Sequence, residues 1–254
     1  MSYTIAIAGK GGTGKTTVAA LAVSRLIAAG RKPVLAVDAD PNSCLDSALG
    51  VNVTQTVGAV REEAREMAGK GLGSGISKRE LLELKIHGSL VESDSFDLIA
   101  MGRCEGPGCY CYANNVLKQV IERLADDYPT MVIDNEAGLE NLSRRIVRKV
   151  DLLMMVTDPS RVGLTTVERL HGLADEMGLK YDKLAIVINR LRNGTLPEGA
   201  DALKEKTSAD VLVGLPSDTE LAELGENGDS LFKLQDGHPL LSVMDNLLNE
   251  TNGS

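Results

Sequence analysis

Seven short apolar runs rich in valine and isoleucine recur along the chain, at Thr4–Ala8, Pro33–Val37, Phe96–Met101, Thr130–Ile133, Leu152–Val156, Leu184–Ile188 and Val211–Leu215. Each has the brevity and near-continuous apolarity of a strand buried on both faces. Between most of them lie stretches with helical spacing, at Thr16–Ala29, Asn114–Leu124, Leu139–Val150 and Leu164–Met177. Strand and helix in alternation predict right-handed crossovers, hence a doubly wound α/β fold: a mainly parallel sheet of about seven strands with helices on both faces. Neither linker nor repeat divides the pattern, so residues 1–254 read as one domain. Its clearest interruption is Gly50–Ser95, where charged helical stretches (Arg61–Met67, Lys78–Ile86) surround Gly69, Gly71, Gly73 and Gly75. That stretch reads either as a mobile loop between surface helices or as an insertion that docks a partner.

Composition changes the picture by exclusion. With 254 residues, 43% hydrophobic and 25% charged, the chain is long enough to bury a core without staples. Twenty-seven Lys and Arg against 36 Asp and Glu leave a net charge of -9, a field that repels nucleic acid and anionic lipid, so neither is expected as a partner. No apolar run approaches the roughly 18 residues of a membrane span. Pro239–Glu250 has helical apolar spacing, but its only charges are Asp245 and Glu250, and an anionic membrane would not hold it. Thr4–Ala8 runs straight into glycines with no basic region before it, so a cytoplasmic protein is expected. In a reducing compartment four unevenly spaced cysteines point to metal or redox chemistry rather than disulfides.

The densest chemistry follows the first run. Gly9, Lys10, Gly11, Gly12, Thr13, Gly14, Lys15 and Thr16 match the phosphate-loop pattern between a strand and a helix. The glycines let backbone N–H groups converge on phosphate oxygens, the helix N-terminus adds partial positive charge, Lys15 reaches the β and γ phosphates, and the Thr16 hydroxyl suits Mg²⁺. Gly9, Gly11 and Gly14 also satisfy the dinucleotide fingerprint, with Asp38 at a fitting distance for a ribose. That rival leaves Lys15 and Thr16 without a task, and the triphosphate reading uses every residue.

Lys10 departs from the general pattern. With it, GKGGTGKTT (through Thr17) resembles the deviant Walker A loop of the family that includes MinD, ParA, ArsA and the nitrogenase iron protein. The resemblance implies that Lys10 crosses a dimer interface to the partner subunit's phosphates, as an arginine finger does elsewhere. It also assigns two carboxylate segments. In the first, Val34–Val37 leads into Asp38, Ala39, Asp40 and Pro41, on a strand expected to neighbour the first one. There Asp40 would orient the attacking water, with Asp38 near the hydrated magnesium. In the second, Met131–Ile133 leads into Asp134, Asn135, Glu136, Ala137 and Gly138, and Asp134 matches the Walker B aspartate. Strand-end aspartates also cap following helices. Asn189 and Arg190 after one late strand, with Gly214–Asp218 (including Pro216 and Asp218) after the last, resemble the family's base-contacting segments. ATP is preferred, because the usual guanine-reading pattern is absent.

Cys109 and Cys111, one residue apart, provide half of a tetrahedral or square-planar thiolate site, expected to lie just before the helix that begins near Asn114. A two-fold dimer would supply the other half; two buried cysteines are the plain alternative. Taken with the loop and DNEAG (134–138), the string GPGCYCYANN (106–115) resembles the CooC-type ATPases that assist nickel insertion into carbon monoxide dehydrogenase, and their relatives serving acetyl-CoA synthase. That resemblance implies a homodimeric ATPase using ATP and Mg²⁺. Ni²⁺, or Zn²⁺ in its place, would sit at the paired cysteines, and apo carbon monoxide dehydrogenase or acetyl-CoA synthase would be the client. A MinD/ParA-type positioning or partition ATPase is the alternative, and it leaves the cysteine pair unused. Cys44 reads as a small core side chain, Cys104 as inert, an extra ligand or a redox-sensitive thiol. His87, His171 and His238 share no spacing that makes a site.

Overall fold

The computed structural model describes residues 2–42, 44–60, 62–63, 88–103, 109–139, 142 and 149–251, with backbone alone over 109–116. In chain order the elements are β1 (Tyr3–Gly9), α1 (Lys15–Ala28), β2 (Val34–Asp38), α2 (Leu45–Leu49), β3 (Val91–Glu92), β4 (Phe96–Ala100), α3 (Cys109–Leu124) and β5 (Thr130–Asp134). There follow β6 (Val150–Thr157), α4 (Arg161–Glu176), β7 (Tyr181–Leu191), α5 (Ala200–Thr207), β8 (Val211–Pro216), α6 (Thr219–Asn227) and α7 (Pro239–Thr251). They form one eight-stranded sheet in the order β3-β4-β2-β5-β1-β6-β7-β8. All seven expected strands are present. The eighth, β3, is a two-residue antiparallel edge on β4, too short to leave a sequence pattern.

The strand order corrects one expectation. β2 does not neighbour β1, because the crossover through α1 skips a position and β5 fills it, paired in parallel with β1 on one side and β2 on the other. Every residue of β5 is buried, as a strand flanked on both edges and covered on both faces must be. The insertion sets Asp38 directly opposite Asp134 in register, so the two carboxylate-bearing strand ends are adjacent.

The core divides by face. On one side, alternate residues of the strands (Ile5, Ile7, Val132, Met154, Val187) pack against α1 and α7. On the other, Ala6, Ala8, Met155 and Ile186 pack under α4 and α5, while Leu35, Val37, Ile99 and Ile133 pack under Leu117, Val120 and Ile121 of α3. α7 spends its apolar face here: Leu240, Leu241, Met244, Leu247 and Leu248 are buried. No helix among the described residues is long and apolar enough to cross a membrane.

Two further expectations change. α3 begins at Cys109 rather than near Asn114, so the cysteine pair occupies the first turn of a helix instead of the loop before it. The helix expected over Leu139–Val150 lies mostly outside the described residues, and its last member, Val150, opens β6. The charged stretches at 61–67 and 78–86 also lie largely outside the described residues, apart from 62–63.

Replacing Ile5, fully buried in β1, by alanine should cost about 2–5 kcal/mol of unfolding free energy, since the stacked layers cannot collapse onto the missing methyls. Val162→Ala, at a site 64% exposed, should change it by no more than about 0.5 kcal/mol. Urea unfolding of both variants checks the contrast, and equal losses would contradict this placement of the core.

Candidate functional site

The carboxyl ends of parallel strands are where doubly wound folds bind ligands, and the sequence-chosen residues gather at those ends. Gly9 closes β1 opposite Val156, and a Cβ there would collide with the Val156 carbonyl. Gly14, with φ +92, is the N-cap of α1, and its missing side chain admits the Asn189 amide. Between them the loop is tied to itself: the Thr13 hydroxyl donates to the Lys10 carbonyl at 2.9 Å, and Lys15 Nζ reaches the same oxygen at 3.4 Å. Lys15 is therefore folded over the loop's concave side, while Lys10, Gly11 and Gly12 are exposed.

Two neighbours brace this loop from outside. Asn189 Nδ2 donates to the Thr13 carbonyl at 2.9 Å, and Arg190 Nη1 donates to the Gly12 carbonyl at 3.0 Å. Arg190 holds a left-handed backbone (φ +62), its amide donating to Asn189 Oδ1 at 2.9 Å. With those carbonyls held outward, the loop amides are left to face an anion. On the far side, the Gly138 amide donates to the Gly9 carbonyl, and Asn135 donates to the Ile7 carbonyl through both its amide and its Nδ2.

Asp134 stands at the centre. Its Oδ2 accepts a 2.6 Å hydrogen bond from the Thr16 hydroxyl, and its Oδ1 is buried without a hydrogen-bond partner among the described residues. Burial pushes the carboxyl up to about 7, opposed by the Thr16 hydrogen bond and assisted by the charge of Asp38. Asp38 is likewise raised by burial, to about 6. Its oxygens accept from the Asp40, Cys44 and Leu45 amides, so it fixes the turn after β2 and the start of α2. Asp40 is only partly buried, and its Oδ1 accepts from the amide and the Nδ2 of Asn42. A buried carboxylate oxygen without a partner, beside a hydroxyl and a phosphate-type loop, fits a hard cation such as Mg²⁺ bound through oxygen.

A cavity of about 430 Å³ opens beside α1, lined by Thr17, Asn189, Arg190, Pro216, Ser217, Asp218, Leu221, Ala222, Gly225 and Glu226. Asp218 lines it, but its Oδ1 caps α6 by accepting from the Leu221 amide, and its Oδ2 lies 3.3 Å from His238 Nε2. Asp158, after β6, is held below the usual carboxylate range, chiefly by its hydrogen bond with Ser160, with the Lys10 and Arg190 charges contributing.

The cysteines separate. Cys44 is not a core side chain: it is exposed at the N-cap of α2, while the inward positions of that short helix go to Leu45 and Leu49. Partial burial and the surrounding carboxylates raise its thiol, which disfavours the thiolate a metal needs. Cys109 and Cys111 lie in the first turn of α3, and Cys104 lies outside the described residues. Positions two apart on an α-helix are about 200° apart around its axis, so one ion held by both requires that first turn to open. Among the described residues no three His, Cys, Asp or Glu side chains form a metal-holding group. Sequence reasoning missed Asn42 and Arg103, whose Nη2 donates to Asn42 Oδ1 at 2.8 Å across 61 positions, a pairing no local pattern announces.

A braced phosphate loop above a hydroxyl and a strand-end carboxylate defines a P-loop ATPase. The chain belongs to the CobQ/CobB/MinD/ParA nucleotide binding domain family, whose model matches residues 4–232. It is 38% identical over 244 residues to an uncharacterised ATP-binding protein of Methanocaldococcus jannaschii, covering 96% of each chain. It is 28% identical over 246 residues to the carbon monoxide dehydrogenase accessory protein CooC of Rhodospirillum rubrum, covering 91% of this chain and 89% of that one. The fold matches the cell division ATPase MinD of Pyrococcus furiosus with a TM-score of 0.71 at 24% identity, over 98% of both chains.

An acid whose folded pKa is raised takes up more protons folded than unfolded, so stability falls as pH rises from the ordinary carboxylate range through about 6 and 7. Asp134→Asn removes much of that loss. Without divalent cation, its Tm relative to the parent should therefore climb between pH 5 and pH 8. A difference independent of pH would contradict the buried charge.

Proposed function

We propose that this ATPase is a dimerising metallochaperone that carries a transition metal, nickel, to an apo-enzyme of the carbon monoxide dehydrogenase or acetyl-CoA synthase type. The observation that carries the reading is the Cys-x-Cys pair at the first turn of α3. Two thiolates per chain make half of a four-sulfur site, and a two-fold dimer completes it. The similarity to CooC, spread over about nine-tenths of both chains, supports the same client class.

The nucleotide half of the cycle follows from the chain's own groups. The loop amides and Lys15 bind the phosphates, and Thr17, Asn189, Arg190 and Pro216 line the space for adenine. Asp40, exposed enough to meet water, orients the nucleophile, while Lys10, exposed at the loop's rim, reaches the partner subunit's phosphates. Mg²⁺, held by Thr16 and Asp134, would supply charge neutralisation at the β and γ phosphates. ATP and nickel both act at one dimer interface, so each alters the affinity for the other by the same factor. A membrane-positioning role is less favoured, because the apolar face of α7 is committed to the core.

Nickel should bind at one ion per two chains and be lost in Cys109→Ser or Cys111→Ser but not in Cys44→Ser. Lys15→Ala should lose nucleotide binding, whereas Lys10→Ala should bind ATP and hydrolyse it about 10³-fold more slowly. Activation of nickel-free carbon monoxide dehydrogenase by limiting nickel, with this protein and MgATP, tests the whole reading. Activation indifferent to ATP, to Cys109→Ser and to Lys15→Ala would overturn it.

A further inference from the structure

The hydrogen bonds around Asp40 form a directed chain. Asp40 Oδ1 accepts from the amide of Asn42 at 2.8 Å and from its Nδ2 at 3.1 Å; Asn42 Oδ1 accepts from Arg103 Nη2 at 2.8 Å. A primary carboxamide can sit either way round, and only one orientation offers N–H to a carboxylate. The Arg103 cation decides which: it demands the amide oxygen, so the amide nitrogen must face Asp40. Removing Arg103 frees the carboxamide to turn its oxygen toward Asp40 Oδ1, which replaces a hydrogen bond that orients the carboxylate with a repulsion.

Arg103 is itself well referenced to the sheet. Two residues before it, the Met101 amide donates to the Asp38 carbonyl at 2.8 Å, and the Met101 carbonyl accepts from the Gly58 amide at 2.9 Å. Gly102 holds φ +65 with Thr56 packed where a Cβ would stand. The chain thus leaves β4 in a fixed direction, presents Arg103 to the first carboxylate segment, and reaches Cys109 six positions later. An exposed hydrogen bond of this kind contributes little to global stability, so its consequence lies in orientation.

We propose that Arg103 is a positioning residue for ATP hydrolysis, acting through Asn42 on Asp40. The proposal rests on the reading of Asp40 as the water-orienting carboxylate.

The test compares Arg103→Met, Arg103→Lys, Asn42→Ala, Asp40→Ala and the Arg103→Met/Asn42→Ala double variant in steady-state phosphate release. Arg103→Met should lower kcat about tenfold with KM for ATP unchanged, the signature of a group felt only in the transition state. Arg103→Lys, which can still donate to the amide oxygen, should recover most of the rate. The double variant should be no slower than Asn42→Ala alone, because both break one chain. A raised KM with unchanged kcat, a lysine variant no better than methionine, or additive losses would overturn the positioning role. Asp40→Ala hydrolysing ATP at the parent's rate would instead remove the reading of Asp40 on which the proposal rests.

Discussion

The hydrogen bond from Thr16 to Asp134 joins the two halves of the site, and it is also where the fold is electrostatically incomplete. It links the first turn of α1 to the end of β5, two elements more than a hundred residues apart in sequence. One carboxylate oxygen is satisfied and the other is buried without a partner, in a strand end shared with Asp38. Burial, assisted by the neighbouring carboxylates, raises both acids toward neutrality, and a cation would oppose that. The ligand-free protein therefore stores an electrostatic cost at the point where nucleotide is to be bound.

The rest of the architecture can be understood as holding that point open. Skipping one position between β1 and β2 lets β5 enter, which is the only reason the two carboxylate segments become neighbours. Asn189 and Arg190 hold the loop's carbonyls from one side, and Asn135 and Gly138 hold β1 from the other. The loop is then preorganised for phosphate rather than folded by it. The same strand order brings β4 beside β2, so Arg103, three residues after β4, meets Asn42 in Asp40's own segment.

The strands were legible because each is buried on both faces and bounded by turn-forming residues, and the phosphate loop because its action depends on spacing and backbone. Strand adjacency was not, since nothing in Val34–Asp38 records that the crossover passes over a vacant position. Asp38 was read as a group near the magnesium; its oxygens also accept from three backbone amides that shape the turn after β2, contacts that no sequence pattern announces. Cys44 was misplaced because helical spacing over five residues cannot say which way an N-cap faces. Asn42 and Arg103 carried no signal at all: a loop asparagine and a lone arginine become partners only after the sheet forms.

If Asp134 takes a divalent cation with nucleotide, as proposed, a carboxyl that burial raises to about 7 must give up its proton on binding. Calorimetric titration of MgADP into the protein at pH 6.5, in buffers of differing ionisation enthalpy, counts the protons released on binding. The parent should release a fraction of a proton more than Asp134→Asn, and the excess should disappear at pH 8.5, well above the value near 7. Equal proton release by the two proteins at pH 6.5 would contradict the account.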